Sequence, residues 1–414
     1  MELITGYKQT DVGVIPIDWK TYSLLELIEL LTDYDANGSF SSVAENVKSY
    51  DYEEYAWYVR STDLENNSSL NKVKYVDEPS YKFLKKTALY GGELLFLKRG
   101  DIGNVYLFEM KTERATVAPN LYLLKLNQIS NSKYLYYYFI SRAGQLQLKS
   151  KNASSTLGAL YKDDVKSIIV PLPATKSEQT AIATALSDAD ALISGLEKLI
   201  AKKRNIKQGA MQKLLQPKEG WEVKTLKDLA KYRRGSFPQP YGLDKWYDDT
   251  NGYPFVQVYD VDENFRLKVE TKRKISKAAQ EMSVYIERGS VIITLQGSIG
   301  RIAITQYDAY VDRTLLFFES FIIPFDRYFF MLTIFRLFEL EKEKAPGGII
   351  KTITKEALSK FKISYPKIEE QTKIANIISD MDSEISALET KLEKYKKVKL
   401  GMMQNLLTGK IRLV

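Results

Sequence analysis

The residues of this chain best placed for chemistry sit in two glycine turns, and the chemistry they could do is binding. Gly92-Glu93-Leu94-Leu95-Phe96-Leu97-Lys98-Arg99-Gly100-Asp101-Ile102-Gly103 puts a lysine, an arginine and an aspartate in one turn. Gly289 to Gly300 repeats the frame with Gln296-Gly297-Ser298 in the turn. Neither stretch has the three-glycine spacing of a nucleotide loop or leads into a helix. Gly409-Lys410 is followed by Ile411 and lacks the glycine five residues earlier, so it is no phosphate loop. The chain has neither histidine nor cysteine. Ser-His and Cys-His nucleophile pairs are therefore excluded, disulfides cannot form, and zinc loses its two usual ligands. Acid-x-lysine triplets such as Glu109-Met110-Lys111 are expected by chance, and no Pro-Asp precedes one as a nuclease site would require. An Asn-Pro-Pro-aromatic site for amino-methyl transfer is also absent. The expectation is a chain with no catalytic residue and no metal site.

The charge balance suggests what the turns would bind. Lysine and arginine outnumber acids by 60 to 52, a net charge of +8, which fits a polyanion such as nucleic acid. A length of 414 residues allows two or three domains with their own cores. Met1 to Tyr7 shows no secretion signal, and a cytoplasmic home is expected. The greasiest stretch, Thr314 to Leu340, is broken by Glu319, Pro324 to Arg327 and Arg336. It reads as a buried strand, a turn and a buried helix rather than a membrane span.

What must position the turns is legible in an internal repeat. Glu178 to Leu215 aligns without a gap against Glu370 to Leu407 at a constant offset of 192, with 19 of 38 positions identical. Ile182, Leu186, Ala189, Ile193, Leu196 and Ile200 recur at spacings of three and four. So do Ile374, Ile378, Met381, Ile385, Leu388, Leu392 and Tyr395. This is a coiled-coil seam over two long helices, with Ser177 and Thr180 as the start of the first. An isolated helix of this kind is marginal in water, so each is expected to pair with the other, antiparallel. Alternating apolar runs between glycine clusters read as strands, including Tyr55 to Val59 and Leu94 to Leu97. Tyr134 to Ile140 and Tyr328 to Phe335 read as packed aromatic helices.

The predicted fold is α+β. Two similar globular modules are separated by two long repeat helices forming an antiparallel coiled coil, with pseudo-twofold symmetry. The segments are residues 1–173, 174–216, 217–366 and 367–414. Two heads with matching frames and different turns, held by a helical ruler, suit a bipartite target on duplex DNA. The rival expectation is a coiled-coil scaffold with two protein-binding heads.

Glu-Gln-Thr-x-Ile-Ala after a Pro-x-Pro or Tyr-Pro, the following Asp-x-Asp, and Gly-x-Met-Gln-x-Leu-Leu are each present twice. In these motifs the chain closely resembles the specificity subunits of type I restriction-modification enzymes. Tyr7 to Pro16 and Leu407 to Leu413 also match, so nearly the whole chain is covered. The resemblance implies a non-catalytic subunit with two target-recognition domains, each reading half of an asymmetric, gapped site in double-stranded DNA. It implies docking of two methyltransferase subunits and, in a restriction complex, two motor-nuclease subunits. S-adenosylmethionine, ATP and magnesium belong to those partners, and no cofactor belongs to this chain. A specificity subunit of a methylation-only system is the alternative within the family.

The candidate DNA-binding residues of the first module are Lys98, Arg99, Asp101, Asn104, Arg114, Asn120 and Ser155. Those of the second are Arg233, Arg234, Lys274, Gln296, Ser298, Arg301 and Arg313. Arg114, Arg233, Arg234, Lys272, Arg273 and Lys274 suit phosphates, and the turn residues suit base edges. Ser154 to Thr156 and Pro346 to Gly348 are comparable loops. Gln179, Ile182, Asp188 and Asp190, with their repeats Gln371, Ile374, Asp380 and Asp382, are the expected docking positions on the helices.

Overall fold

Short aliphatic runs such as Leu94–Leu97 and Val291–Thr294 are buried along their whole length, so both faces of those strands are covered. The computed structural model describes residues 6–152, 158–344 and 355–413. It divides into two units, Met1–Glu197 with Thr390–Val414, and Lys198–Glu389. Each unit therefore contains part of both repeat helices.

The first unit holds a four-stranded antiparallel sheet in the order Ile28–Asp33, Leu121–Leu126, Leu94–Leu97, Val105–Leu107. Its second sheet centres on Ala56–Val59, which pairs in parallel with Ala115–Val117. A two-stranded ribbon joins Lys20–Ser23 to Ile169–Leu172. The second unit repeats this plan. Its antiparallel sheet runs Ala230–Arg234, Leu315–Phe321, Val291–Thr294, Ile302–Ile304. Tyr253–Val256 pairs in parallel with Ala309–Val311, and Glu222–Thr225 forms the ribbon with Lys362–Tyr365. Strands expected at Tyr55 to Val59 and Leu94 to Leu97 are present, as are the aromatic helices, at Ser132–Ile140 and Arg327–Lys344.

The repeat helices run Lys176–Leu214 and Ile368–Leu406, 39 residues each, or about 58 Å. The first starts slightly earlier than Ser177, because the Thr175 hydroxyl accepts from the Glu178 amide at 3.2 Å. In the first unit Asp190 meets Lys399 at 2.6 Å and Glu197 meets Lys396 at 3.2 Å. In the second, Lys203 meets Glu384 at 2.7 Å and Lys207 meets Asp382. In both units rising numbers on one helix meet falling numbers on the other, so the paired segments are antiparallel. Leu196, Ile200, Ile385 and Leu392 of the apolar seam are buried. Ile182 and Leu186 enter the core of the first unit, and Ile374 and Ile378 that of the second. Among the described residues no helix is long and apolar enough to cross a membrane.

Candidate nucleic-acid interface

Both glycine turns are built by packing as much as by hairpin geometry. Gly103 and Gly300 have φ of 120° and 82°, where side chains are strained. A Cβ would lie 2.6 Å from Gln145 at the first and 2.7 Å from Phe338 at the second. Each glycine thus lets a following helix close on the turn.

In the first unit the turn points Lys98 inward. Its ammonium reaches Asp33 at 2.7 Å and Asp35 at 2.8 Å, and Lys162 also reaches Asp33 at 2.9 Å. Burial alone would lower the Lys98 pKa, but these carboxylates outweigh it and hold it above the ordinary lysine value. Asn120, at φ 77°, donates its amide to the Arg99 carbonyl at 3.1 Å and accepts from the Lys98 backbone at 2.9 Å. Lys98 and Asn120 are therefore both bonded into the frame of the turn. Arg99 and Asp101 are exposed, and the Arg99 guanidinium pairs with no described residue. Asn104 lies 3.5 Å from Glu65. Arg114 pairs with Glu113 at 3.1 Å and lies over Tyr55 at 4.5 Å. Ser155, like its neighbours Ser154 and Thr156 and the loop at Pro346 to Gly348, lies outside the described residues.

In the second unit Gln296 and Ser298 are exposed at the tip of the turn. Arg301 instead folds back onto the Val261 carbonyl at 3.3 Å and Glu263 at 3.1 Å, so its guanidinium is already bonded. Arg233 lies over Phe317 and pairs with Glu319 at 2.7 Å. It lines an open groove of about 860 Å³ together with Arg288 and Arg327. Arg234 is exposed on the edge strand, and the Lys274 amide donates to Asp249 at 3.0 Å.

Beside this turn stands a group whose cations sequence reasoning named and whose tyrosines and Gln257 it passed over. The Tyr241 hydroxyl donates to buried Asp312 at 3.0 Å, and the Gln257 side chain bonds both Tyr241 and Tyr259. Burial, with Asp312 adding to it, raises the Tyr241 pKa far above neutral. Tyr259 is pushed up to about 12 by burial first and then by Asp260. Both hydroxyls remain donors at neutral pH. Each ring carries a cation: Arg313 lies 5.4 Å over Tyr241, Arg273 3.8 Å over Tyr247, and Lys272 4.9 Å over Tyr259. The group adjoins the turn, because the Leu295 amide bonds the Thr314 carbonyl at 3.0 Å. The basic run at Lys272 to Lys274 was the sequence signal. The tyrosines gave none, since an isolated tyrosine usually reads as core.

On the helices most of the expected docking side chains face the chain itself. Gln179 accepts from the Asn131 amide at 2.9 Å, and Gln371 from the Asp326 amide at 3.1 Å. Both are buried, as are Ile182 and Ile374. Asp190 accepts from Tyr137 at 2.8 Å and pairs with Lys399; its repeat Asp382 does the same with Tyr328 and Lys207. Burial takes the two glutamines and the two isoleucines out of a partner's direct reach, while Asp190 and Asp382 are half-buried and bonded within the chain. Asp188 and Asp380, also repeat equivalents, are exposed.

Comparison with known proteins agrees with this architecture. The family model described as the type I restriction modification DNA specificity domain matches residues 16–208 and 218–398. The MjaX specificity subunit assigned to a type I restriction enzyme of Methanocaldococcus jannaschii is 25% identical over 433 residues, covering 99% of this chain and 97% of that one. The MjaVIII specificity subunit of the same organism is 25% identical over 351 residues, 77% of this chain and 79% of that one. Among solved structures, the S subunit of a type I restriction-modification system from M. genitalium superposes with a TM-score of 0.59 at 15% identity, covering 98% of each chain.

Proposed function

Because this chain belongs to the type I restriction-modification DNA specificity family, we propose that it is the non-catalytic subunit that reads an asymmetric, gapped target in double-stranded DNA. Each unit reads one half-site, and the repeat helices set the gap. The observation that carries this reading is the pair of units with one topology and different residues at equivalent turn positions, Lys98-Arg99-Gly100-Asp101 against Leu295-Gln296-Gly297-Ser298. A shared frame with divergent tips suits two readers of different sequences. The partners are two methyltransferase subunits and, in a restriction complex, two motor-nuclease subunits. Exposed Asp188 and Asp380 offer them equivalent contacts on the two helices. S-adenosylmethionine, ATP and magnesium would be held by those partners in the cytoplasm.

The test is binding of the assembled complex to duplex DNA across a salt series. Recognition anchored on phosphates predicts that log K falls with log salt at a slope of roughly −0.9 per phosphate contacted. Affinity that does not respond to salt would contradict it and favour a scaffold with protein-binding heads.

A further inference from the structure

A side chain that reads a base edge must present free donors and be held still, with charge nearby to seat the phosphates. In the second unit Arg233, Arg273 and Arg301 each have a carboxylate partner, Glu319, Asp249 and Glu263. Arg313 is exposed and has none among the described residues. Its guanidinium rests on Tyr241. The residues on either side of it are fixed, since buried Asp312 accepts from the Thr314 amide at 2.8 Å as well as from Tyr241. Arg234 is also exposed, and among the described residues no carboxylate pairs with its guanidinium and no ring holds it.

The far side of the platform is held in the same way. Asp260, fully buried, accepts from the Gln257 amide at 2.8 Å and the Lys272 amide at 2.9 Å. Phe237 packs against both Tyr241 and Tyr247 at ring distances of 5.0 and 5.5 Å. Two buried carboxylates thus brace a row of tyrosines topped by cations.

We infer that the second unit reads a guanine of its half-site with the Arg313 guanidinium, for which Tyr241, Gln257 and Asp312 are positioning residues. The inference rests on the DNA-recognition reading above. A guanidinium fork matches the O6 and N7 acceptors of guanine in the major groove. Lys272 and Arg273 flank it as phosphate contacts.

Single-molecule sequencing of adenine methylation, in cells carrying the intact system with wild-type chain, Arg313→Ala, Arg313→Gln or Tyr241→Phe, tests this. The wild-type motif should contain a guanine that Arg313→Ala relaxes to any base, with roughly 10- to 100-fold loss of discrimination at that position and the other half-site unchanged. Tyr241→Phe, which keeps the ring and loses the anchor, should relax the same position more weakly. An unchanged motif, or uniformly weaker methylation of an unchanged motif, would overturn the inference and make Arg313 a phosphate contact. Should the alanine variant methylate nothing, Arg313→Gln decides: it stays polar but presents one donor and one acceptor, which suit adenine and not the two acceptors of guanine. A relaxed guanine then supports the assignment and an intact motif overturns it. A wild-type chain that directs no gapped motif would instead overturn the recognition reading itself.

Discussion

Asp33 is where a residue-level account of the first unit can be broken most cleanly. It is almost fully buried and takes both Lys98 and Lys162. Burial alone would raise its pKa, but the two lysines outweigh that and hold it below its ordinary value of 3.8. Its contribution to stability is therefore complete above that value and is lost as pH falls below it through the folded pKa. Asp33→Asn should destabilise the first unit by about 3 kcal/mol at pH 7, because it leaves two lysines without their shared partner. The gap to wild type should stay constant from pH 5 to pH 9 and close only in acid, as thermal melts across pH would show. A gap that varied around neutrality would mean that another group titrates there. Lys98 and Arg301 were legible in the sequence as cations in a turn, but their partners lie up to 65 residues away, a separation that local pattern cannot bridge. Arg99, Gln296, Ser298 and Arg313 are exposed where the sequence placed polar tips.

At the scale of elements, the repeat made the helices the most legible part of the fold. Spacing of three and four over many turns admits one periodicity, and each observed helix spans its copy of the repeat up to the last leucine. The second sheet of each unit was largely illegible, Ala56–Val59 of the first being the strand of it that the sequence showed. Its strands, such as Tyr253–Val256 and Ala309–Val311, are short and pair in parallel across more than fifty residues, and four-residue apolar runs carry no period of their own. The helix pair has an internal check. Asp190 with Lys399 and Asp382 with Lys207 are the same pair under the repeat offset, and each aspartate also takes a tyrosine hydroxyl. Double-mutant cycles on the two pairs should give similar coupling energies of about 1–2 kcal/mol, above the level of an exposed ion pair. Chemical denaturation reads both. Coupling at one pair only would show that the repeat preserves sequence without preserving the interaction.

For the whole molecule, the proposed function is a division of labour: two units of one topology, each reading its own stretch of DNA, with the chemistry left to partner subunits. Resemblance in sequence, the family match over residues 16–208 and 218–398, and the repeated topology converge on it. The most direct test is a comparison of genome-wide adenine methylation, by single-molecule sequencing, in cells with this gene and with it deleted. The account predicts that one gapped, asymmetric motif loses its methyl mark on deletion and regains it when the gene is restored. A methylation pattern that is the same with and without the gene would contradict the account.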